Sequence, residues 1–167
     1  VDPQQLYNAH PEWFLRDQRG RRQPLDGFYV SLNPCLPQVR NYLADICVDL
    51  ARRYPIDGIH LDYIRFPVEE SPEGSDYPRD SRTLELYRQA TGKAPGESEQ
   101  RWIRWRQEQV TRLVVQISRR CRQASSGLRI TAACSPNLDT ARNYYFQDGP
   151  TWLKRDLIDL AFVMNYT

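Results

Sequence analysis

The chain has 167 residues, of which 40% are hydrophobic and 26% are charged, which is typical of a globular protein with a single core. The formal net charge of +2 is too small to indicate a nucleic-acid-binding protein. No apolar run reaches the roughly 18 residues needed to span a membrane. The chain starts at Val1 rather than Met, which is typical of a fragment, so the lack of a leader segment excludes no compartment.

The predicted elements follow from hydrophobic period and from proline and glycine boundaries. In chain order, the first half contains a surface loop or hairpin (1–25), a strand (28–32), a helix opened by Pro37, a strand (54–67) and a polar loop (68–80). The second half contains a short helix capped by Ser81 that runs to about residue 90, a longer helix capped by Ser98 and ended by Gly127, a strand (128–135), a polar loop with a brief helix (151–155), and a last strand (158–166). Because strands alternate with helical segments, we predict βαβ units and a parallel sheet.

The strand at 54–67 is the most informative stretch, because its successive side chains point to opposite faces. One face carries Ile59, Leu61 and Tyr63, and the other carries Gly58, His60 and Asp62. The first face is ordinary core, whereas the second places a histidine and a carboxylate near the carboxyl end of a buried strand. Ligands and catalytic groups collect at that end of parallel strands. We therefore predict that Asp62 lies in an active site.

Four parallel strands fit either a small open doubly wound sheet or part of a (β/α)8 barrel. No Gly-x-Gly-x-x-Gly or Walker-type loop follows any strand, which argues against the common nucleotide-binding open sheets. Polar strand faces favour the barrel, whose interior they would line. A complete barrel needs roughly 250 residues. We predict an α/β fold in which residues 1–167 form one domain, a partial TIM-type barrel of about four βα units.

Three other features have structural explanations. The four cysteines form no Cys-x-x-Cys pair and lie in apolar patterns, so we interpret them as small buried residues, with a disulfide as the alternative. The basic cluster at 119–122 is predicted to be a solvated helix face, with a phosphate-binding patch as the alternative. Trp102 and Trp105 have helical spacing and are predicted to pack in the core rather than to form a ligand platform.

The segment at 54–67 resembles the hallmark strand of the glycosyl-hydrolase-like 10 family, in which a Tyr-x-x-Asp-Gly-Ile-His-x-Asp-Tyr core recurs. The resemblance continues over most of the chain, at 10–13, 32–34, 37–43, 135–136, 141–142, 147–148, 152–153 and 164–166. It implies a TIM-type barrel that acts on glycans, an extracytoplasmic location (secreted, periplasmic or lipoprotein) and a fragment holding strands three to six. Members of the family cleave peptide-free peptidoglycan strands.

Glycoside hydrolysis requires two carboxyl groups, about 5–5.5 Å apart in retaining enzymes and about 6.5–9.5 Å apart in inverting ones. Asp62 is the first, with a structural ion pair to Arg65 as the alternative. We predict Asp148 as the second, although it precedes Gly149-Pro150 and could instead cap a helix. The other candidates are Glu69, Glu70, Asp139 or an acid on a strand outside this sequence.

We assign substrate binding to residues at strand ends, namely Asn33, His60, Tyr63, Arg65 and Tyr166. Asn33 occupies a position at which the resemblance leads us to expect an acidic residue in many relatives. His60 is interpreted as orienting Asp62 or bonding a sugar hydroxyl, since one His and one Asp make too few metal ligands. We predict no metal and no cofactor, and a polysaccharide or oligosaccharide as the partner. The alternatives are a non-catalytic glycan-binding barrel and a metal-dependent hydrolase; the sequence gives no oligomeric state.

Overall fold

The computed structural model describes residues 4–25, 29–67 and 76–166. The elements within them are α1 (Leu6–Ala9), a 3₁₀ turn (Pro11–Trp13), α2 (Pro37–Arg53), β1 (Gly58–Leu61), α3 (Ser81–Thr91), a 3₁₀ turn (Pro95–Glu97), α4 (Glu99–Ala124), β2 (Arg129–Cys134), α5 (Leu138–Asn143), α6 (Gly149–Lys154) and β3 (Leu160–Val163). Helices therefore separate each strand from the next along the chain.

The strands form one parallel sheet in the order β1-β2-β3. His60 lies opposite Thr131 in the first pair, and Ala133 lies opposite Phe162 in the second. Parallel neighbours joined by helical crossovers are the βαβ units that the sequence predicts. The mixed α/β architecture is that of a partial TIM-type barrel, which confirms the predicted fold class.

The predicted strand at 28–32 is not part of this sheet. Phe28 lies outside the described residues, and Leu32 makes a single antiparallel bridge to Phe14. The backbone N–H of Asn33 donates to the Trp13 carbonyl at 2.7 Å, and Leu15 N–H donates to the Ser31 carbonyl at 3.0 Å. The sheet contains three strands among the described residues rather than four, because the segment that follows residue 28 bonds to the N-terminal region.

Two other strands are shorter than predicted. The strand predicted at 54–67 is observed as Gly58–Leu61, and that predicted at 158–166 as Leu160–Val163. Tyr63 adopts a positive φ of 51°, which turns the backbone out of the extended conformation. The proline boundaries therefore mark the ends of the whole segment and not the ends of the hydrogen-bonded strand.

The helix boundaries mostly match the sequence signals. α2 begins at Pro37, and the Ser98 hydroxyl accepts from the Arg101 N–H at 3.3 Å at the start of α4. The prediction that Ser81 caps α3 is wrong, because the Asp80 carboxylate is the cap and accepts from the Thr83 N–H at 2.9 Å. α1 and α5 were not predicted, because both are short and lie in polar sequence.

The core lies between the helices and one face of the sheet. Side chains of α2 and α4 form one buried cluster with Leu61, Ile130 and Ala132 of the strands. The rings of Trp102 and Trp105 are buried and stacked at 5.2 Å, which confirms their predicted packing role. Cys35, Cys121 and Cys134 are buried, Cys47 is half-buried, and all four thiols are free, as the interpretation of small buried residues predicts.

Candidate active site

A groove of about 680 Å³ runs along the face of the sheet that points away from the helices. Its lining includes Gly58, His60, Asp62, Thr131, Ala133, Phe162, Met164 and Tyr166. The neighbouring residue Leu61 is buried in the core on the other face. The predicted alternation is therefore confirmed for residues 58–62, and it places His60 and Asp62 in the groove. The prediction of Tyr63 on the core face is wrong, because its positive φ turns the backbone out of the strand and its side chain is exposed.

His60 is held in place by the strand beside it. Its Nδ1 atom lies 2.7 Å from the Thr131 hydroxyl oxygen, and the two residues are directly opposite in the β1–β2 register. The Phe162 ring packs edge-on against the imidazole, with 5.3 Å between centroids. A threonine hydroxyl can donate or accept, so this contact serves either imidazole tautomer. Because Nδ1 is occupied by this contact, Nε2 is the nitrogen of the imidazole that can face a ligand.

Asp62 follows β1 directly and its side chain is exposed to solvent. Its Oδ1 atom accepts a hydrogen bond from the backbone N–H of Tyr63 at 2.8 Å. No other described residue contacts the carboxylate by a hydrogen bond or an ion pair, and Arg65 is thus not the structural partner considered above. One oxygen is fixed by the backbone, and the other is open to the groove.

Aromatic and cationic side chains form a row beside Asp62. The rings of Tyr29 and Tyr63 are 4.4 Å apart, and the guanidinium of Arg65 lies over the rings of Tyr63 and Tyr145 at 4.7 and 4.2 Å. Tyr29 and Tyr63 are both exposed. The row places two predicted substrate-binding residues, Tyr63 and Arg65, next to the predicted catalytic carboxylate.

At the other strand, the exposed residue Tyr166 follows β3 and lines the groove with Phe162 and Met164. Its position agrees with the strand-end placement on which its prediction depended. Apolar side chains with exposed faces can stack against the C–H faces of sugar rings, as aromatic residues do in many binding sites. This end of the groove is thus its apolar part.

Asn33 lies away from the groove. It is fully buried, and its side-chain amide donates to Asp80 and Thr83 at 3.0 and 2.8 Å. Its oxygen accepts from the Cys35 N–H at 3.0 Å. Both donors of the amide are used within the protein, and the described role of Asn33 is to join the segment after residue 32 to the start of α3.

Asp148 is also absent from the lining of the groove. It is the residue before α6, its Oδ2 atom accepts from the Thr151 hydroxyl at 2.6 Å, and its Oδ1 atom accepts from Arg142 at 3.2 and 3.3 Å. Both carboxylate oxygens are therefore engaged at the helix start. Glu69 and Glu70 lie outside the described residues, and Asp139 is exposed in the first turn of α5.

Sequence reasoning missed Thr131, although the strand that contains it was predicted. The missing information is the register, because only the pairing of His60 with Thr131 shows that the hydroxyl meets the imidazole. Tyr29 was likewise assigned to a strand and not to the site. In the part of the chain that the structure describes, no group of three or more His, Cys, Asp or Glu side chains could hold a metal ion.

Comparisons with known proteins agree with this architecture. The sequence model of a family described as "Glycosyl hydrolase-like 10" matches residues 2–167. A solved structure, the glycoside hydrolase domain of PgaB (BpsB) from Bordetella bronchiseptica, is similar with a TM-score of 0.69 and 17% identity. The match covers 91% of this chain and 44% of that chain, so the chain spans less than half of that solved structure. No curated protein matches the sequence.

At 17% identity, the structural similarity shows that the two chains share a fold. Among the described helices, none combines the length and the apolar character that crossing a membrane requires. The groove lies on the sheet face that would form the interior of a closed barrel, and Asp62 lies where the carboxyl end of β1 meets that interior.

Proposed function

The chain belongs to the glycosyl hydrolase-like 10 family, and from this premise we propose that it is the part of a glycoside hydrolase that carries the catalytic carboxylate Asp62. The proposed reaction is cleavage of O-glycosidic bonds in a bacterial polysaccharide outside the cytoplasm, with peptide-free peptidoglycan strands as the first substrate to test. The observation that carries the proposal is the groove in which His60 and Asp62 lie on the inner face of the sheet.

In this proposal Asp62 acts while ionised, as the nucleophile or as the base that activates water. The N–H of Tyr63 fixes one carboxylate oxygen and leaves the other facing the groove. Thr131 orients the imidazole of His60, which bonds a sugar hydroxyl near the scissile bond. His60 is on β1 and Asp62 follows it directly, so the sheet positions the first group and the end of the strand positions the second.

Asp148 stays the predicted second carboxyl. To protonate a leaving oxygen it would have to exchange its bonds to Arg142 and Thr151 for a bond to the substrate. For substrate binding, we propose Tyr166 as a direct contact within the groove, and Tyr63 and Arg65 as contacts in the row beside Asp62. Asn33 was predicted in the same role, and its buried hydrogen bonds favour a positioning role instead.

The test is Asp62→Asn in the full-length protein, assayed for release of reducing ends and for glycan binding. Because a positioned acid or base raises the reaction rate about 10²- to 10⁴-fold, we expect the turnover number to fall by at least about a hundredfold. Glycan affinity should change little, since the amide keeps the size of the carboxylate. Asp156→Asn is the matched control, because Asp156 is also exposed and lies outside the lining of the groove.

The alternative is a glycan-binding barrel without turnover. The observation in its favour is that both oxygens of Asp148 are engaged within the protein. If the wild-type protein binds glycans and releases no reducing ends from any of them, the binding module is the correct reading. A metal-dependent hydrolase is a third class, and full activity in excess chelator would exclude it.

A further inference from the structure

A second concave surface lies on the helix side of the molecule, across the core from the groove. It has a volume of about 600 Å³, and we call it the arginine cleft because Arg40, Arg112, Arg119, Arg120 and Arg155 line it. These residues come from α2, from α4 and from the position after α6. The structure thus brings together guanidinium groups that are up to 115 positions apart in sequence, Arg40 and Arg155 (155 − 40).

The positive charges of the cleft are only partly compensated. Glu108 is the one acid among the described residues of its lining, and it accepts from Arg112 at 3.2 Å. Arg120 pairs with Asp45 beside the cleft. Within the described ranges, the guanidinium groups of Arg119 and Arg155 make no ion pair or hydrogen bond, and both residues are exposed.

The arginines also affect one another. Arg40 is buried and donates to the carbonyl oxygens of Pro34 and Cys35 at 2.6 and 3.0 Å. Burial lowers the pKa of Arg40, and the nearby charge of Arg112 lowers it further. Since the whole chain carries only +2, the cleft is a local concentration of charge. An anion bound there would relieve the repulsion between its guanidinium groups.

The lining indicates which anion fits. Planar guanidinium forks match the oxygens of a phosphate group, and arginine is the preferred residue for this recognition. Among the described residues that line the cleft there is no aromatic ring, whereas single-stranded nucleic acids are bound by stacking their bases on such rings. Val115 is the one apolar side chain among the described lining residues, and it is half-buried, so the cleft has no apolar group to insert into a membrane.

We propose that the arginine cleft binds a phosphate-bearing polymer that lacks bases, with Arg119 and Arg155 as its principal contacts. The number of arginines supports a chain rather than one phosphate, because five of the residues that line the cleft are arginines. This site is separate from the groove and does not depend on the proposed hydrolysis. It would hold the protein on an anionic polymer while the groove stays accessible.

The experiment measures binding of inorganic polyphosphate to the full-length protein over a range of salt concentrations. We expect the wild-type affinity to fall steeply with salt, as it does when arginines replace condensed counterions. The double variant Arg119→Ala/Arg155→Ala should bind about tenfold more weakly or worse, with a smaller salt dependence. The matched control is Arg19→Ala/Arg88→Ala, which removes the same charge from two exposed positions outside the cleft.

Retained affinity in the control, with loss in the cleft variant, supports the proposal. Equal losses in the two double variants would show a general charge effect and overturn it. Absence of polyphosphate binding by the wild-type protein would overturn it as well, as would tighter binding to single-stranded DNA or to phosphatidylglycerol vesicles. Circular dichroism of all variants verifies the fold, and reducing-end release measured in parallel separates this result from that of the Asp62 test.

Discussion

The two faces of the sheet are built from the same strands and differ in almost every physical respect. On the helix side, Leu61 and Ile130 are buried in the core. On the groove side, the adjacent residues His60 and Thr131 are open enough to meet a ligand and are joined by one hydrogen bond. One face therefore supplies stability and the other is free for chemistry, and substitutions on the two faces should affect different measurements.

The largest expected effect is on the core face. Ile130 is 0% exposed, so Ile130→Ala leaves a cavity and should lower the free energy of unfolding by about 2–5 kcal/mol. Leu160→Ala removes a side chain of similar size that is 51% exposed on the groove side, and it should cost only about 0.5 kcal/mol. Urea denaturation of the two variants measures the difference. Equal losses would show that the faces do not differ in this way.

The next effect is on the groove face. Thr131→Val keeps the shape of the side chain but removes the hydroxyl that contacts His60. We expect the free energy of glycan binding to weaken by about 1 kcal/mol, which is about a fivefold increase in Kd. The urea midpoint should stay almost unchanged. Thr131→Ser restores the hydroxyl and should restore the affinity. If the serine variant is as weak as the valine variant, the hydroxyl does not position His60.

The smallest expected effect is at Asp159, the residue directly before β3. The Asp159 carboxylate accepts from the Ile130 N–H at 2.6 Å and from Arg122 at 2.9 Å. Partial burial acts to raise the pKa of Asp159, but these two partners outweigh it and hold the pKa below its usual value. A lowered pKa stabilises the fold above the unfolded value of about 3.9 and ceases to do so as the pH falls through the folded value.

Asp159→Asn should therefore lower the urea midpoint at neutral pH, and the difference from wild type should shrink below about pH 4. Arg122→Gln is the companion variant. It should show part of this pH dependence, because the Ile130 N–H still donates to the carboxylate in that variant. A difference between Asp159→Asn and wild type that stays constant from neutral to acidic pH would contradict the assignment.

The alternation of side chains along β1 was predictable from the sequence because it depends only on strand geometry. It correctly placed His60 on the groove face and Leu61 on the core face. The pairing of Leu32 with Phe14 was not predictable, since a short run of aromatic and aliphatic residues does not specify which backbone it will bond. For this reason the segment predicted as the first strand is not part of the sheet, although its residue types were suitable for a strand.

The surroundings of Asp148 and Asn33 show a second limit of sequence reasoning. Both residues are polar and follow apolar segments, which is a pattern that functional and structural residues share. Only the partners distinguish them: Arg142 and Thr151 for Asp148, and Asp80 and Thr83 for Asn33. These partners lie 3 to 50 positions away in sequence, and nothing in the local pattern identifies them.

The register of the sheet places Ala133 directly beside Phe162, at the floor of the groove. Ala133 contributes a single methyl group there, between the side of the groove that holds Asp62 and the side that holds the aromatic ring. The depth of the groove beside Phe162 therefore depends on the side chain at position 133. A larger side chain at 133 would raise the floor there while His60 and Asp62 keep their identity, so the bulk of the ligand admitted can change separately from the chemical groups that meet it.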